Sequence, residues 1–219
     1  MTNAIRLVML SGSFEYESED SLTVLSDYLA EHAPAIESNL VIYKTEEDSP
    51  SLEILDDADV LLVFTRRLQL EGPELERIKR YCAEGRPIVG IRTASHAFQS
   101  WLEFDAQVLG GSYNGHFGSG PVCRVEPATD IAQHPVLREV LPFESQGSLY
   151  RNTPIADDAT LLLSGQADNK KEPVAWTRNH QGGRVFYTSL GHQKDFWELD
   201  FLRLIENAIM WVAEGGSDR

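Results

Sequence analysis

The segment Asp59-Val60-Leu61-Leu62-Val63-Phe64 runs from one acidic residue into consecutive apolar side chains with no polar residue between them. A strand with one face in water alternates apolar and polar residues. An unbroken apolar run therefore needs cover on both faces, the position of an interior strand in a parallel sheet flanked by helices. The neighbouring segments fit that architecture. Ile5-Arg6-Leu7-Val8-Met9-Leu10 is a second buried run, ended by Ser11-Gly12-Ser13, and Leu22, Leu25 and Leu29 follow at helical spacing before Pro34. Residues 36–43 read as a strand. Pro73 opens a helix with Leu75, Ile78 and Cys82 on one face and Gly85 as its stop, and residues 86–91 form the next strand.

This alternation up to about residue 109 predicts βαβ units in a doubly wound, mostly parallel sheet, the flavodoxin-like class of α/β fold. The second half is richer in strands, with candidates at residues 122–125, 160–163, 174–177 and 184–190, and Gln181-Gly182-Gly183 reads as a hairpin turn. The last helix carries Phe201, Leu204, Ile205, Ala208, Ile209 and Val212 as one apolar stripe, which places it on the same sheet. A single domain over residues 1–219 is expected. The chain has 19 basic and 34 acidic residues, a formal charge of −15, so its mean field repels nucleic acid and anionic membranes. The start of the sequence lacks a basic region before an apolar stretch, no segment reaches the ~20 apolar residues of a span, and two cysteines suit a reducing compartment. A cytoplasmic protein is expected, with Cys82 and Cys123 as buried structural thiols.

Chemistry concentrates where strands end, because open parallel sheets bind ligands beyond their carboxyl edge. Pro87-Ile88-Val89-Gly90-Ile91-Arg92-Thr93-Ala94-Ser95-His96 reads as a strand, a tight turn and a helix. That is the shape of a nucleophile elbow. Its tip is Arg92, which offers only donors and cannot act as a nucleophile. Arg66 and Arg67 end the preceding strand and join Arg92 at the same edge, either to bind a ligand through forked donors or to pair with Glu15, Glu17 or Glu71. His96 lies a turn beyond Arg92. His116 sits in the glycine-rich stretch of residues 110–120, where no core demands an imidazole, and His192 follows Gly191 at the end of a strand, placed to move a proton. No HExxH or other close ligand spacing occurs, so no metal ligands are assigned; a three-His site assembled by folding stays open, and any cofactor is unknown from the sequence.

Three motifs, Gly90-Ile91-Arg92-Thr93-Ala94-Ser95-His96-Ala97-Phe98, Gly110-Gly111-Ser112-Tyr113-Asn114-Gly115-His116 with the later Tyr150-Arg151, and Gly182-Gly183-Arg184-Val185-Phe186-Tyr187-Thr188-Ser189-Leu190-Gly191-His192, stand in this order and spacing. Together they resemble the ThuA-like, or trehalose-utilisation, family, and the resemblance covers nearly the whole chain. It implies a class I glutamine amidotransferase-like fold and a role in carbohydrate metabolism. Amidotransferases carry cysteine at the elbow tip and a His-x-Glu pair late in the chain; here Arg92 and His192-Gln193-Lys194 stand instead, so glutaminase activity is not expected. Many relatives have histidine at the tip and an acid where this chain has Ser148.

The resemblance implies a small sugar, a disaccharide or its keto form, at the sheet edge. Arg92, His116 and His192 form the catalytic set, and Arg66, Thr93, His96 and Tyr150 the substrate-binding set. The alternative is a non-catalytic ligand-binding module that has lost its nucleophile. Self-association into a homo-oligomer is expected for this fold.

Overall fold

The computed structural model describes residues 4–118, 122–129, 131 and 133–215. The strands are β1 (Ile5–Gly12), β2 (Ile36–Ile42), β3 (Val60–Thr65), β4 (Ile88–Ile91), β5 (His116–Phe117), β6 (Cys123–Pro127), β7 (Phe143–Ser145), β8 (Leu149–Tyr150), β9 (Thr160–Ala167), β10 (Lys170–His180) and β11 (Gly183–Thr188). The helices are α1 (Ser18–His32), α2 (Gly72–Ala83) and α3 (Leu199–Glu214). Among the described residues, nine strands form one sheet in the order β2-β1-β3-β4-β11-β10-β9-β6-β7. The first five pair in parallel in the flavodoxin order, and the remaining pairings are antiparallel.

The unbroken apolar run in β3 is explained by its neighbours. Val60, Leu62 and Phe64 pack with Leu22, Leu25 and Leu29 of α1 and with Leu204, Ile205 and Ala208 of α3. Leu61 and Val63 face Leu75, Ile78, Tyr81 and Cys82 of α2. Every β3 residue is buried, as a strand covered on both faces requires. The apolar stripe of α3 lies on the α1 side of the sheet, where sequence spacing placed it. No helix among the described residues is long and apolar enough to cross a membrane.

Two segments differ from the expected elements. The helix expected after β4 is a five-residue 3₁₀ turn, Arg92–His96. It ends there because the carbonyls of His96 and Ala97 accept from the amides of Arg67 and Leu68 at 2.8 Å each, which ties the elbow to the loop after β3. A π-helical turn, Asp105–Leu109, follows. The second difference is length: β10 extends well beyond residues 174–177, because Lys170 and Lys171 pair with Ala167 and Gln166 in an exposed hairpin that carries no apolar pattern.

The turn from β10 to β11 has Gln181 at φ 51 and Gly182 at φ 82, the two left-handed positions of a type I′ hairpin. Gly183 then passes so close to Gly85 that an added Cβ would stand 1.9 Å from the Gly85 carbonyl oxygen. That atom is backbone and cannot step aside. Gly183→Ala is therefore expected to cost about 2–3 kcal/mol of unfolding free energy. Gly182→Ala, with nothing within 4 Å, should cost about 1 kcal/mol from its backbone angle alone. Urea unfolding of the two variants checks the order; equal losses would contradict this packing.

Candidate functional site

The carboxyl ends of β1, β3, β4 and β11 converge on Arg92. Its backbone sits at φ 46, in the left-handed region that an L-residue enters at a cost of about 1–2 kcal/mol. That conformation turns the chain sharply at the tip of the elbow. The strain is offset locally: the Tyr187 hydroxyl donates to the Arg92 carbonyl at 2.7 Å.

The guanidinium is 1% exposed. It lies between two tyrosine rings, 4.4 Å from the centroid of Tyr16 and 4.6 Å from that of Tyr150. Nη1 donates to the Ser189 carbonyl at 2.7 Å, and Nη2 donates to the Tyr16 hydroxyl at 3.1 Å and the Ser148 carbonyl at 3.4 Å. Burial works against the charge, yet Tyr150, Tyr16 and Asp195 together hold its pKa above the ordinary value. Gly147 makes the close approach possible, since a Cβ there would lie 2.6–2.8 Å from the guanidinium atoms.

Asp195 fixes the same two loops from the other side. Oδ2 accepts from Ser145 Oγ at 2.7 Å, from the Gly191 amide at 2.9 Å and from the His192 amide at 3.0 Å, and Oδ1 accepts from the Gln146 amide at 3.0 Å. Asp195 also completes a capping box with His192 at the start of the 3₁₀ turn Gln193–Trp197. Arg92 draws in the carbonyls of Ser148 and Ser189, and Asp195 draws in amides two or three residues away. One buried arginine and one buried aspartate thus define where both loops run.

Four half-buried rings surround this buried centre. Tyr113 stacks on His96 at 4.7 Å and reaches Tyr150 at 4.5 Å, and Tyr16 meets the edge of His192 at 6.1 Å. Burial pushes the His96 imidazole down to about 3, with Arg66, Arg67 and Arg92 adding to the effect. His192 is also lowered, by burial first. Both rings are neutral near pH 7. The Lys194 amide donates to His192 Nδ1 at 3.2 Å, so the neutral ring carries its proton on Nε2 and presents a donor. The Tyr150 phenol is held well above its ordinary pKa by burial and stays protonated.

The remaining sequence candidates fall into distinct places. Thr93 is buried and donates to Ser13 Oγ at 2.9 Å, which locks the β1 loop to the elbow. Arg66 forms an ion pair with Glu15 at 3.4 Å, the pairing that its exposed setting allowed. His116 pairs with Tyr150 across β5 and β8, but its imidazole is exposed and its Nδ1 lies 2.8 Å from the Gly118 carbonyl. The structure thus brings Arg92, His96, His192 and Tyr150 together and holds His116 at the rim.

Tyr16, Tyr113 and Asp195 also gather at the elbow and were not singled out by the sequence. For Asp195 a signal exists, since an acid three residues after His192 is the spacing of a capping box. Among the described residues, no group of three or more His, Cys, Asp and Glu side chains converges to hold a metal ion. Neither cysteine is placed as a nucleophile: burial pushes both Cys82 and Cys123 up to about 12, and Arg92 occupies the elbow tip.

A family model for ThuA, described as trehalose utilisation, matches residues 6–212. No curated protein matches the chain. A structure described as thua-like from Parabacteroides merdae superposes with a TM-score of 0.78 at 18% identity, covering 97% of this chain and 91% of that one. Another from Bacteroides uniformis gives 0.75 at 18% identity, covering 97% and 93%. A structure described as a GMP synthase component from Thermoplasma acidophilum gives 0.61 at 13% identity, covering 98% and 96%, a likeness of fold alone.

The neutrality of His96 has a pH signature. An unfolded histidine titrates near 6.5, so between pH 6.5 and 3 the unfolded chain takes up a proton that the folded chain refuses. Stability from this group is complete above pH 6.5 and is lost as pH falls, by about 3 kcal/mol between pH 7 and 4. His96→Phe keeps the stacked ring and should remove that part of the slope in urea unfolding. Identical slopes in the two proteins would show that His96 titrates normally.

Proposed function

The chain belongs to the ThuA family, and from that premise we propose that it holds a small neutral sugar, trehalose or a related disaccharide or keto form, at the carboxyl edge of the sheet. The observation that carries this reading is the character of the accessible groups around the elbow. Tyr16, His96, Tyr113 and His192 offer ring faces and hydrogen-bonding groups, both imidazoles are neutral, the buried Arg92 beneath them donates to protein acceptors, and Arg66 beside them is paired with Glu15. Ring faces pack on the C–H surface of a sugar, and neutral donors and acceptors exchange hydrogen bonds with its hydroxyls at little desolvation cost.

Within this reading Arg92 acts through Tyr16. Its Nη2 donates to the Tyr16 hydroxyl, which orients that group and leaves its proton free to meet a ligand oxygen. His192 supplies Nε2–H as a second donor from the opposite loop. His116 sits at the rim beside the glycine-rich loop, where it can meet a ligand that extends outward. Glutamine is not the substrate, because the elbow carries no thiol and both cysteines stay protonated.

A second reading, a binding module without catalysis, is favoured by one specific observation: the guanidinium at the elbow tip is spent on protein acceptors and is 1% exposed. Both readings require the same site, and product analysis after incubation with the bound sugar separates them. Saturating trehalose is expected to raise the melting temperature by about 5 °C or more, as a ligand at 100 times its Kd does for a domain of this size. Tyr113→Ala should abolish the shift, and glutamine should give none. A shift that persists in Tyr113→Ala, or no shift with any disaccharide or keto-sugar, would overturn the proposal.

A further inference from the structure

The two loops that bring Tyr16 and His192 together continue outward as Glu17 and Gln193. Beyond them lies a separate cavity of about 170 Å³, lined by Glu17, Asp20, Ser21, Val24, Gln193 and Phe196 and walled by Trp197. Trp197 is 77% exposed, the most exposed large apolar side chain among the described residues, although its neighbour Phe196 is fully buried in the core. A tryptophan that contributes so little to packing presents a flat ring to whatever enters the cavity.

The polar groups opposite the ring are equally unspent. The carboxylates of Glu17 and Asp20 and the side-chain amide of Gln193 form no hydrogen bond or ion pair with another described residue. Both acids line the cavity, Glu17 as the left-handed N-cap residue of α1 and Asp20 from its first turn. An aromatic platform faced by free acceptors and one amide is the chemistry that receives a hexose ring, with its C–H face on the indole and its hydroxyls donating to carboxylates.

We propose that this cavity is a second sugar subsite, in which one ring of a disaccharide rests on Trp197 and gives hydrogen bonds to Glu17 and Asp20 while the other ring occupies the site at Tyr16, Tyr113 and His192. The inference rests on the sugar-binding reading above and deepens it: the ligand is a disaccharide and not a single hexose. Specificity for length then comes from Trp197, and the inner rings serve either sugar.

The test is a titration with trehalose and, separately, with glucose, read by NMR at the Trp197 indole N–H and at the His96 ring. Parallel Kd measurements use Trp197→Ala and Asp20→Asn, both at exposed positions where folding tolerates the change. Trehalose should shift both signals, glucose only that of His96, and Trp197→Ala should weaken trehalose about tenfold or more while leaving glucose unchanged. Asp20→Asn should weaken trehalose in the same direction. If trehalose shifts His96 but not Trp197, or binds Trp197→Ala as tightly as the parent, the subsite is refuted and the inner site stands. A shift at Trp197 alone would keep the subsite and refute the inner one. If neither sugar moves either signal, both proposals fall.

Discussion

The Arg92 guanidinium is the interaction on which the carboxyl edge of the sheet depends. It is buried with its charge, a state that carries a desolvation cost of several kcal/mol unless hydrogen bonds and opposing charge compensate. Compensation comes from four separate parts of the chain: the Tyr16 ring and hydroxyl after β1, the Ser148 carbonyl and Tyr150 ring at β8, the Ser189 carbonyl after β11, and Asp195 behind them. Satisfying the cation thus requires all four to be in place at once. The strained left-handed backbone at Arg92 is held by a further residue, Tyr187 of β11, whose hydroxyl donates to its carbonyl.

One consequence is electrostatic. Burial, reinforced by Arg66, Arg67 and the fixed positive charge of Arg92, keeps His96 from taking a proton, and burial does the same for His192. The protein is strongly acidic overall, yet at the elbow the two imidazoles are neutral, and the charge beside them comes from the exposed Arg67 and from Arg66 paired with Glu15. The carboxylates of Glu17 and Asp20 lie one step further out, in the cavity walled by Trp197.

Much of the fold is legible in the sequence, because buried strands and amphipathic helices leave periodic apolar patterns. The run at β3, the stripe of α3 and the hairpin at Gln181-Gly182 all appear where those patterns place them. The elbow is legible too, since Gly90-Ile91-Arg92 marks a sharp turn at a strand end. Its companions are harder to read. Tyr16 and Tyr113 lie in irregular segments with no periodicity, and only tertiary folding brings their rings to Arg92. The two-residue strands β5 and β8 are too short to carry a pattern, and the elbow helix is cut to a 3₁₀ turn by bonds from Arg67 and Leu68, residues nearly thirty positions away.

The unfolding free energy of Arg92→Lys against the parent protein tests the central claim most directly. Lysine keeps the charge but cannot lie flat between two rings or donate through a fork to two carbonyls and a hydroxyl. If the guanidinium organises this edge as described, the substitution costs at least about 2 kcal/mol in urea unfolding at pH 7. A change within about 0.5 kcal/mol, the range of an ordinary surface substitution, would contradict it.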